Sequence, residues 1–306
     1  MTPLTSLPDP DSSPAPDPDS APRSGPVTTP STTPVTTPTP APDLTTAPAA
    51  RFRDLLAAEW IKVWSLRSTP WTTGLTVLFV IGAAAVATLT DHAARSGPVD
   101  FRSFDAYPAA GYWTLMLVAS SMGALTAVSE YSSGLIRTTT VAVPARGSVV
   151  LAKAAVTAAL WTAVGTAAST GSFLVSQAIL DGHHAGVPIT HPGVLRPLVA
   201  SALLAPVCAL VGLALGVLLR HAAATMVTGV FVLLLLPTLF SETNRWSAGV
   251  RHALVAAAWN RLIQNWEPGP GFLGHPATVP GSWAVYALWP LLTIALAVLV
   301  VRRRDV

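Results

Sequence analysis

Six long runs of apolar residues follow one another between residues 71 and 301, with short polar stretches between them. Because a hydrocarbon core about 30 Å thick requires about 20 apolar residues in a helix, each run is long enough for one transmembrane helix. The predicted spans are residues 71–90, 109–129, 154–180, 198–219, 222–240 and 283–301. The predicted fold class is therefore an all-α polytopic membrane protein with six transmembrane helices.

Small residues and prolines within these runs modify the expected helices. Pro206, Pro237 and Pro290 lie inside spans, where neighbouring helices can satisfy the backbone groups that a proline leaves free, so we expect kinks. Gly212 and Gly216 form a small-xxx-small pair, which would let another helix approach closely. Such pairs are common by chance in a chain rich in Ala and Gly. Arg220 and His221 alone separate the fourth and fifth runs, which predicts a tight helical hairpin.

Two shorter segments have helical periodicity without the length of a span. Before the first run, an apolar stripe predicts an N-terminal amphipathic helix lying in the headgroup region; its members are Phe52, Leu55, Leu56, Trp60, Val63 and Trp64. In the long loop 241–282, a second stripe predicts a surface helix over the outer side of the bundle; its members are Val255, Trp259, Leu262, Ile263 and Trp266.

Residues 1–50 form a polar tail that contains 14 of the 28 prolines together with many Thr and Ser. The tail has almost no large apolar residues, so burial cannot offset the loss of chain entropy, and we expect a disordered cytoplasmic segment. It could dock a partner, carry modified Ser or Thr, or be a solvated extension without a specific role. The chain is thus predicted to have two parts, the tail 1–50 and a membrane domain 51–306.

The composition excludes an ordinary soluble enzyme, since 51% of the residues are apolar, 11% are charged and the mean hydropathy is +0.52. The basic residues lie at the ends of the apolar runs, which indicates membrane topology and not nucleic-acid binding. With the N-terminus inside, the inner segments hold 12 Lys and Arg and the outer segments hold 6. This bias predicts a multi-pass protein of the cell membrane with both termini in the cytoplasm.

The usual catalytic and cofactor motifs are not found in the sequence. Lys62 and Lys153 are the only lysines, and neither stands in the Gly-Lys-Ser/Thr context of a P-loop, so any ATP hydrolysis must take place on another chain. Asp181, His184 and His191, with the neighbouring histidine at 183, match no zinc pattern. The spans carry no Asp, Glu, Lys or Arg at mid-depth, and we expect no polar cluster there. We therefore predict no catalytic residue, cofactor or metal on this chain, and an external source of energy.

Three motifs resemble one family of membrane proteins. Residues 130–153 read Glu-Tyr-x-x-Gly-x-Ile-Arg followed by Val-Pro-x-Arg-Gly and, five residues later, Ala-Lys. This is similar to the loop after the second helix in ABC exporter permeases of the type-2 class, especially actinobacterial ones. The segment 58–69, with a Glu-x-x-Lys pair before Arg-Ser-Thr, resembles the interfacial helix of that family. The closing residues 302–306, Arg-Arg-Arg-Asp-Val, are also like its usual ending. The resemblance covers residues 51–306 and not the tail.

The resemblance implies a permease subunit that exports a substrate out of the cell. Two such domains would pair as a homodimer or heterodimer in the lipid membrane, and two copies of an ABC ATPase subunit carrying ATP and Mg²⁺ would dock on the inner face. The family likeness implies an ATPase-coupling loop with these residues: Glu130, Tyr131, Gly134, Ile136, Arg137, Pro144, Arg146, Gly147 and Lys153. It implies an interfacial helix nearby with Glu59, Trp60, Lys62 and Arg67. Glu130, Arg137 and Arg146 would be charged contacts or internal braces.

Two other functions stay open at this point. The chain could be a membrane scaffold or sensor that binds a partner through its tail and transports nothing. A polytopic membrane enzyme fits least well, because no polar cluster is expected at membrane depth. The apolar spans carry no charged selector, so the sequence does not identify a substrate beyond an amphipathic or hydrophobic molecule.

Overall fold

The computed structural model describes residues 51–93, 103–132, 146–182, 184–266 and 274–303. All of them belong to one compact unit, Ala49–Val306. The predicted disordered tail lies outside the described residues, and so do the last three residues of the chain.

Helices account for most of the described residues, and no strand occurs among them. The elements are α1 (Phe52–Ser65), α2 (Ser68–Ala93), α3 (Ser103–Ala106), α4 (Ala109–Ser132), α5 (Arg146–Asp181), α6 (Leu195–Leu219), α7 (Ala222–Val230), a π-helical turn (Phe231–Leu235), α8 (Leu236–Thr238), α9 (Arg245–His252), α10 (Val255–Ile263) and α11 (Val279–Arg303). The all-α prediction is therefore confirmed.

Five of these helices are long and apolar enough to cross a membrane, as expected for a multi-pass membrane protein. The five segments are Ser68–Asp91, Ala109–Tyr131, Gly147–Asp181, Leu195–Leu219 and Val279–Arg303. They correspond to the first four and the sixth of the predicted spans. The third begins earlier than expected, because α5 starts at Arg146 and not near residue 154.

The fifth apolar run forms a shorter, interrupted helix, Ala222–Thr238. Its 17 residues would rise about 25 Å at 1.5 Å per residue, a few ångströms less than the hydrocarbon core. The interruption is the π-helical turn, which comes immediately before the segment containing Pro237. Proline has no N–H to donate to the helical ladder, which accounts for a break in regular hydrogen bonding at this position.

Helix α6 is the centre of the bundle, with most of its side chains buried against α4, α5 and α11. Its backbone approaches its neighbours closely at glycines. A Cβ added to Gly212 would overlap the Ser120 carbonyl of α4, and one added to Gly165 of α5 would overlap the Ala202 carbonyl of α6. The Gly212 and Gly216 pair therefore serves contact within this chain.

The hairpin predicted between the fourth and fifth runs is confirmed. Arg220 ends α6 with a left-handed backbone at φ 54°, and its N–H donates to the Gly216 carbonyl at 3.0 Å. His221 then begins α7, and its side chain accepts a hydrogen bond from the Ala224 N–H at 3.4 Å. Two residues therefore suffice to reverse the chain.

The C-terminal ends of α4, α6 and α11 and the N-terminal end of α5 lie together. The Arg220 guanidinium lies 4.8 Å from the centre of the Tyr131 ring, and Gly147 lies against the Arg302 side chain. We call this the basic end of the bundle and define it by Lys62, Lys153, Arg220 and Arg302.

The second predicted surface helix exists but is not on the surface. Helix α10 buries all of its residues except two, and Trp259 stacks on Tyr112 of α4 with ring centres 5.2 Å apart. Arg196 of α6 closes its C-terminal end by donating to the carbonyls of Leu262 at 3.1 Å and Gln264 at 2.5 Å. Those last carbonyls have no partner within the helix, so the arginine lets α10 end inside the protein.

Candidate functional site: a charged cluster at the basic end

Four charged side chains from three helices meet at the basic end. Helix α1 contributes Glu59 and Lys62, which lie on the same face because they are three residues apart. Helix α4 contributes Glu130 from its last turn, and α5 contributes Lys153 from its third turn. We call these four residues the charged cluster.

The charged cluster is a closed ring of ion pairs. The Lys62 ammonium nitrogen lies 2.6 Å from Glu59 Oε1 and 2.8 Å from Glu130 Oε1. The Lys153 ammonium nitrogen lies 2.6 Å from Glu59 Oε2 and 2.9 Å from Glu130 Oε1. Each lysine therefore joins α1 to α4, and Lys153 also ties both of them to α5.

Because the ion pairs of the charged cluster are partly buried, breaking one affects the stability of the protein more than breaking an ordinary surface ion pair. The side chains of Glu59 and Lys153 are only 7% and 8% exposed, whereas Lys62 is 45% exposed. Burial acts to lower the pKa of Lys62, but the hydrogen bonds and charges of Glu130 and Glu59 outweigh it and raise that pKa above its usual 10.5. Lys62 is therefore protonated at neutral pH.

A cavity of about 340 Å³ adjoins the charged cluster between α1, α4 and α5. All four charged residues line it, together with polar and apolar side chains: Val63, Ser65, Leu66, Thr126, Ser129, Val156 and Thr157. This space separates α1 from the bundle on one side of the ring. The three helices are thus joined by the ion pairs while part of their contact surface is open.

The other residues predicted for the interfacial helix lie on its outer side. Trp60 and Trp64 pack against each other with ring centres 5.9 Å apart and are about half exposed, as expected for membrane-interface anchors. Arg67 is exposed in the short connection between α1 and α2. Glu59 is a charged residue that interrupts the apolar stripe of α1. It is the buried residue of this helix, and its carboxylate faces Lys153.

The structure describes the predicted coupling loop at its two flanks. Tyr131 packs under Arg220, and Gly147 lies against Arg302. Residues 146–153 were expected in the loop but form the first two turns of α5 and the start of the third. Arg146 begins that helix, whereas Gly134, Ile136, Arg137 and Pro144 lie outside the described residues.

Arg220 is a member of the basic end that the sequence motifs did not identify. Its Nε and one terminal nitrogen are buried and have no hydrogen-bond partner in the described part of the chain. The sequence did contain one indication of this residue, because Arg220 is a basic residue in a two-residue turn. In the structure it adopts a left-handed conformation, which is costly for a residue other than glycine.

Uncharged polar side chains also lie buried inside the bundle, away from the charged cluster. Near the opposite end of the bundle, the Tyr107 and Tyr112 rings meet edge to face at 5.7 Å, and both residues are fully buried. The Trp259 indole donates to Ser201 at 3.2 Å, and buried serines of α5 line the same region. A serine can pass unnoticed in an apolar run, since one small hydroxyl hardly changes the hydropathy of a helix.

Metal ligands do not gather in the described residues, where no group of three or more His, Cys, Asp or Glu side chains could hold an ion. His183 lies outside that part of the chain, so the histidine loop is only partly described. Cys208 is buried on α6 and is a free thiol.

No protein-family model matches the chain, and no curated protein is similar enough to be matched with it.

Proposed function

We propose that this chain is the permease subunit of an ATP-driven ABC exporter and moves an amphipathic or hydrophobic molecule out of the cell. One observation carries the proposal beyond the motif resemblance. Glu130 and Lys153, which bracket the segment that resembles a coupling loop, are both held by ion pairs to the same helix, α1. Four residues from two separate motifs, the residues of the charged cluster, therefore meet at one place.

This arrangement suits a mechanical role for the segment between α4 and α5. A force on that segment acts on Glu130 at one flank and on Lys153 at the other, and the charged cluster passes it to α1. Ligand-driven switches of this kind need packed elements with two arrangements and a partner that favours one of them. In the proposal the partner is an ATPase subunit, and the ATP and Mg²⁺ are bound there.

The proposal includes six spans, with Ala222–Thr238 as the fifth. Helix α7 begins at the basic end directly after Arg220, and the π-helical turn reaches α10 near the opposite end. Leu233 of that turn is packed in the main core. A local thinning of the bilayer accommodates a span that is a few ångströms short, at modest cost.

The proposed orientation places the basic end in the cytoplasm of a cell membrane, with both termini on that side. The excess of Lys and Arg in the inner segments, 12 against 6, supports it. Pairing with a second permease, as a homodimer or heterodimer, belongs to the same proposal.

Co-purification tests the proposed function. The tagged full chain is expressed with the ATPase subunit encoded beside it and extracted in detergent, and ATP hydrolysis by the complex is measured. We expect a stable complex whose ATPase activity differs from that of the ATPase alone. Failure to recruit any P-loop ATPase would contradict the permease proposal and favour the scaffold or sensor.

The substitution Arg137→Glu tests whether the segment between α4 and α5 contacts the ATPase. We expect about tenfold weaker recruitment, which corresponds to about 1.4 kcal/mol of docking energy, because a reversed charge repels the groups that a basic residue attracts. Arg245→Glu is the matched control, since Arg245 is exposed on α9 near the opposite end. Equal recruitment and ATPase stimulation by both variants would contradict a coupling role for Arg137.

A further inference from the structure

The cavity beside the charged cluster is large enough to hold a small polar group. Its volume of about 340 Å³ lies within the usual range of ligand pockets, about 300–1,000 Å³. Its walls combine apolar side chains with a few polar and charged ones, as is typical of such pockets. The mechanical role proposed for the charged cluster makes no use of this space.

The cavity presents both signs of charge to a molecule inside it, because all four residues of the charged cluster line it. Each lysine donates to both Glu59 and Glu130. An ammonium group has three hydrogens, and within the described residues these two carboxylates are its acceptors, so each lysine keeps a third hydrogen for a ligand. Each oxygen of Glu59 receives one ammonium group, and a carboxylate oxygen can accept two hydrogens.

The charges of the cluster balance, since two carboxylates face two ammonium groups. A ligand with a net charge would upset this balance in a place where Glu59 and Lys153 are almost fully buried, and an uncompensated buried charge is costly. A ligand that carries one negative and one positive group adds no net charge. A phosphate would pair with a lysine, and a protonated amine would pair with a glutamate through charge-assisted hydrogen bonds.

The surroundings of the cavity indicate that the membrane supplies this ligand. Helix α1 exposes Trp60, Ile61 and Trp64 on its outer side, and tryptophan is enriched where the bilayer meets water. Leu66 lines the cavity and is itself 58% exposed, so the cavity borders an exposed apolar side chain. The first span begins only two residues later, at Ser68. The cavity therefore lies at the level of the lipid headgroups.

We propose that this cavity binds the headgroup of a phospholipid that carries a primary amine, as phosphatidylethanolamine does. Lys62 donates to the phosphate, the amine donates to Glu59, and the acyl chains leave past Leu66 into the bilayer. The bound lipid fills the open part of the contact between α1 and the bundle. This inference is independent of the proposed transport function, because it requires only that the chain lies in a membrane.

Short-chain lipids test the site on the purified full chain in detergent. Dihexanoyl phosphatidylethanolamine is titrated in, its affinity is obtained from the rise in unfolding temperature, and bound lipids are counted by native mass spectrometry. Dihexanoyl phosphatidylcholine is the control lipid, because its quaternary ammonium has no N–H to donate to Glu59. We expect the ethanolamine lipid to bind about tenfold more tightly, since a hydrogen bond between charged groups is lost with choline. Phosphoethanolamine without acyl chains should bind more weakly than the ethanolamine lipid.

The substitution Thr126→Leu tests whether the lipid occupies this cavity. Thr126 lines the cavity, and its hydroxyl donates to the Gly123 carbonyl of its own helix at 2.7 Å, so leucine fills the space and leaves the charged cluster intact. We expect about tenfold weaker binding of the ethanolamine lipid. Thr114→Leu is the matched control, because Thr114 is also on α4, donates to the Ala110 carbonyl at 2.9 Å and does not line the cavity. It should bind the lipid as the wild type does.

Tighter binding of the ethanolamine lipid that is weakened by Thr126→Leu and not by Thr114→Leu supports the proposal. Equal affinity for the ethanolamine and choline lipids would overturn it, and this comparison uses the wild-type chain and so does not depend on the folding of a variant. Phosphoethanolamine that binds as tightly as the lipid would overturn it in favour of a soluble ligand. Equal lipid affinity of the two threonine variants would place the lipid elsewhere and overturn it as well.

Discussion

Replacing Gly212 with alanine is expected to lower the free energy of unfolding by about 1–3 kcal/mol, the usual cost of overpacking a tight core. The added Cβ would overlap the carbonyl of Ser120, so α4 and α6 would have to separate. Backbone cannot move aside as the end of a flexible side chain can. Because α6 also contacts α5 and α11, the displacement would disturb the centre of the bundle. Thermal unfolding of the purified chain in detergent measures the change.

Gly74→Ala is the matched control for this prediction. Gly74 is also inside a predicted span, on α2, but a Cβ there would meet no atom within 4 Å. Alanine favours helix over glycine by about 0.5–1 kcal/mol, so this variant should be as stable as the wild type or slightly more stable. If Gly212→Ala behaved like Gly74→Ala, the close approach of α4 and α6 would be wrong.

The sequence predicted the elements of the fold well, because a long apolar run has few alternatives to a helix in a membrane. It predicted the hairpin at Arg220 and His221 for the same reason. It did not predict that α10 is buried. An amphipathic stripe shows which face seeks an apolar environment, but lipid and the interior of a protein satisfy that face equally well. The interior position depends on Arg196, whose contacts with Leu262 and Gln264 span more than 60 residues.

The sequence predicted individual residues of the candidate site, but it did not predict the contacts between them. Glu59, Lys62, Glu130 and Lys153 were predicted as site residues because residues 58–69 and 130–153 resemble motifs of one permease family. Their assembly into a ring could not be predicted, since Glu59 and Lys153 are 94 residues apart and meet only after α1 packs on α5. The buried hydroxyls were missed for a different reason, because Tyr and Ser fit within an apolar run.

Replacing Lys153 with methionine is expected to be the most damaging change at the charged cluster. The substitution keeps much of the apolar stem but leaves Glu59 and Glu130, which are 7% and 13% exposed, with Lys62 as their partner in the ring. Removing one partner of a buried ion pair costs about 3–5 kcal/mol, and here a single lysine would be left to compensate two buried carboxylates. We expect a correspondingly lower unfolding temperature and loss of the attachment of α1, measured as faster proteolysis at the α1–α2 connection.

Arg53→Met is the control, since the Arg53 side chain is 75% exposed and its 3.5 Å contact with Asp54 is a surface ion pair worth about 0–1 kcal/mol.

The double variant Lys153→Met with Glu59→Gln separates the effect of the lost charge from the effect of the lost packing. Neutralising the carboxylate that faced Lys153 at 2.6 Å should recover part of the stability, so the double variant should unfold at a higher temperature than Lys153→Met alone. Strictly additive losses, or a Lys153→Met variant as stable as Arg53→Met, would mean that the ion-pair ring does not hold α1 to the bundle.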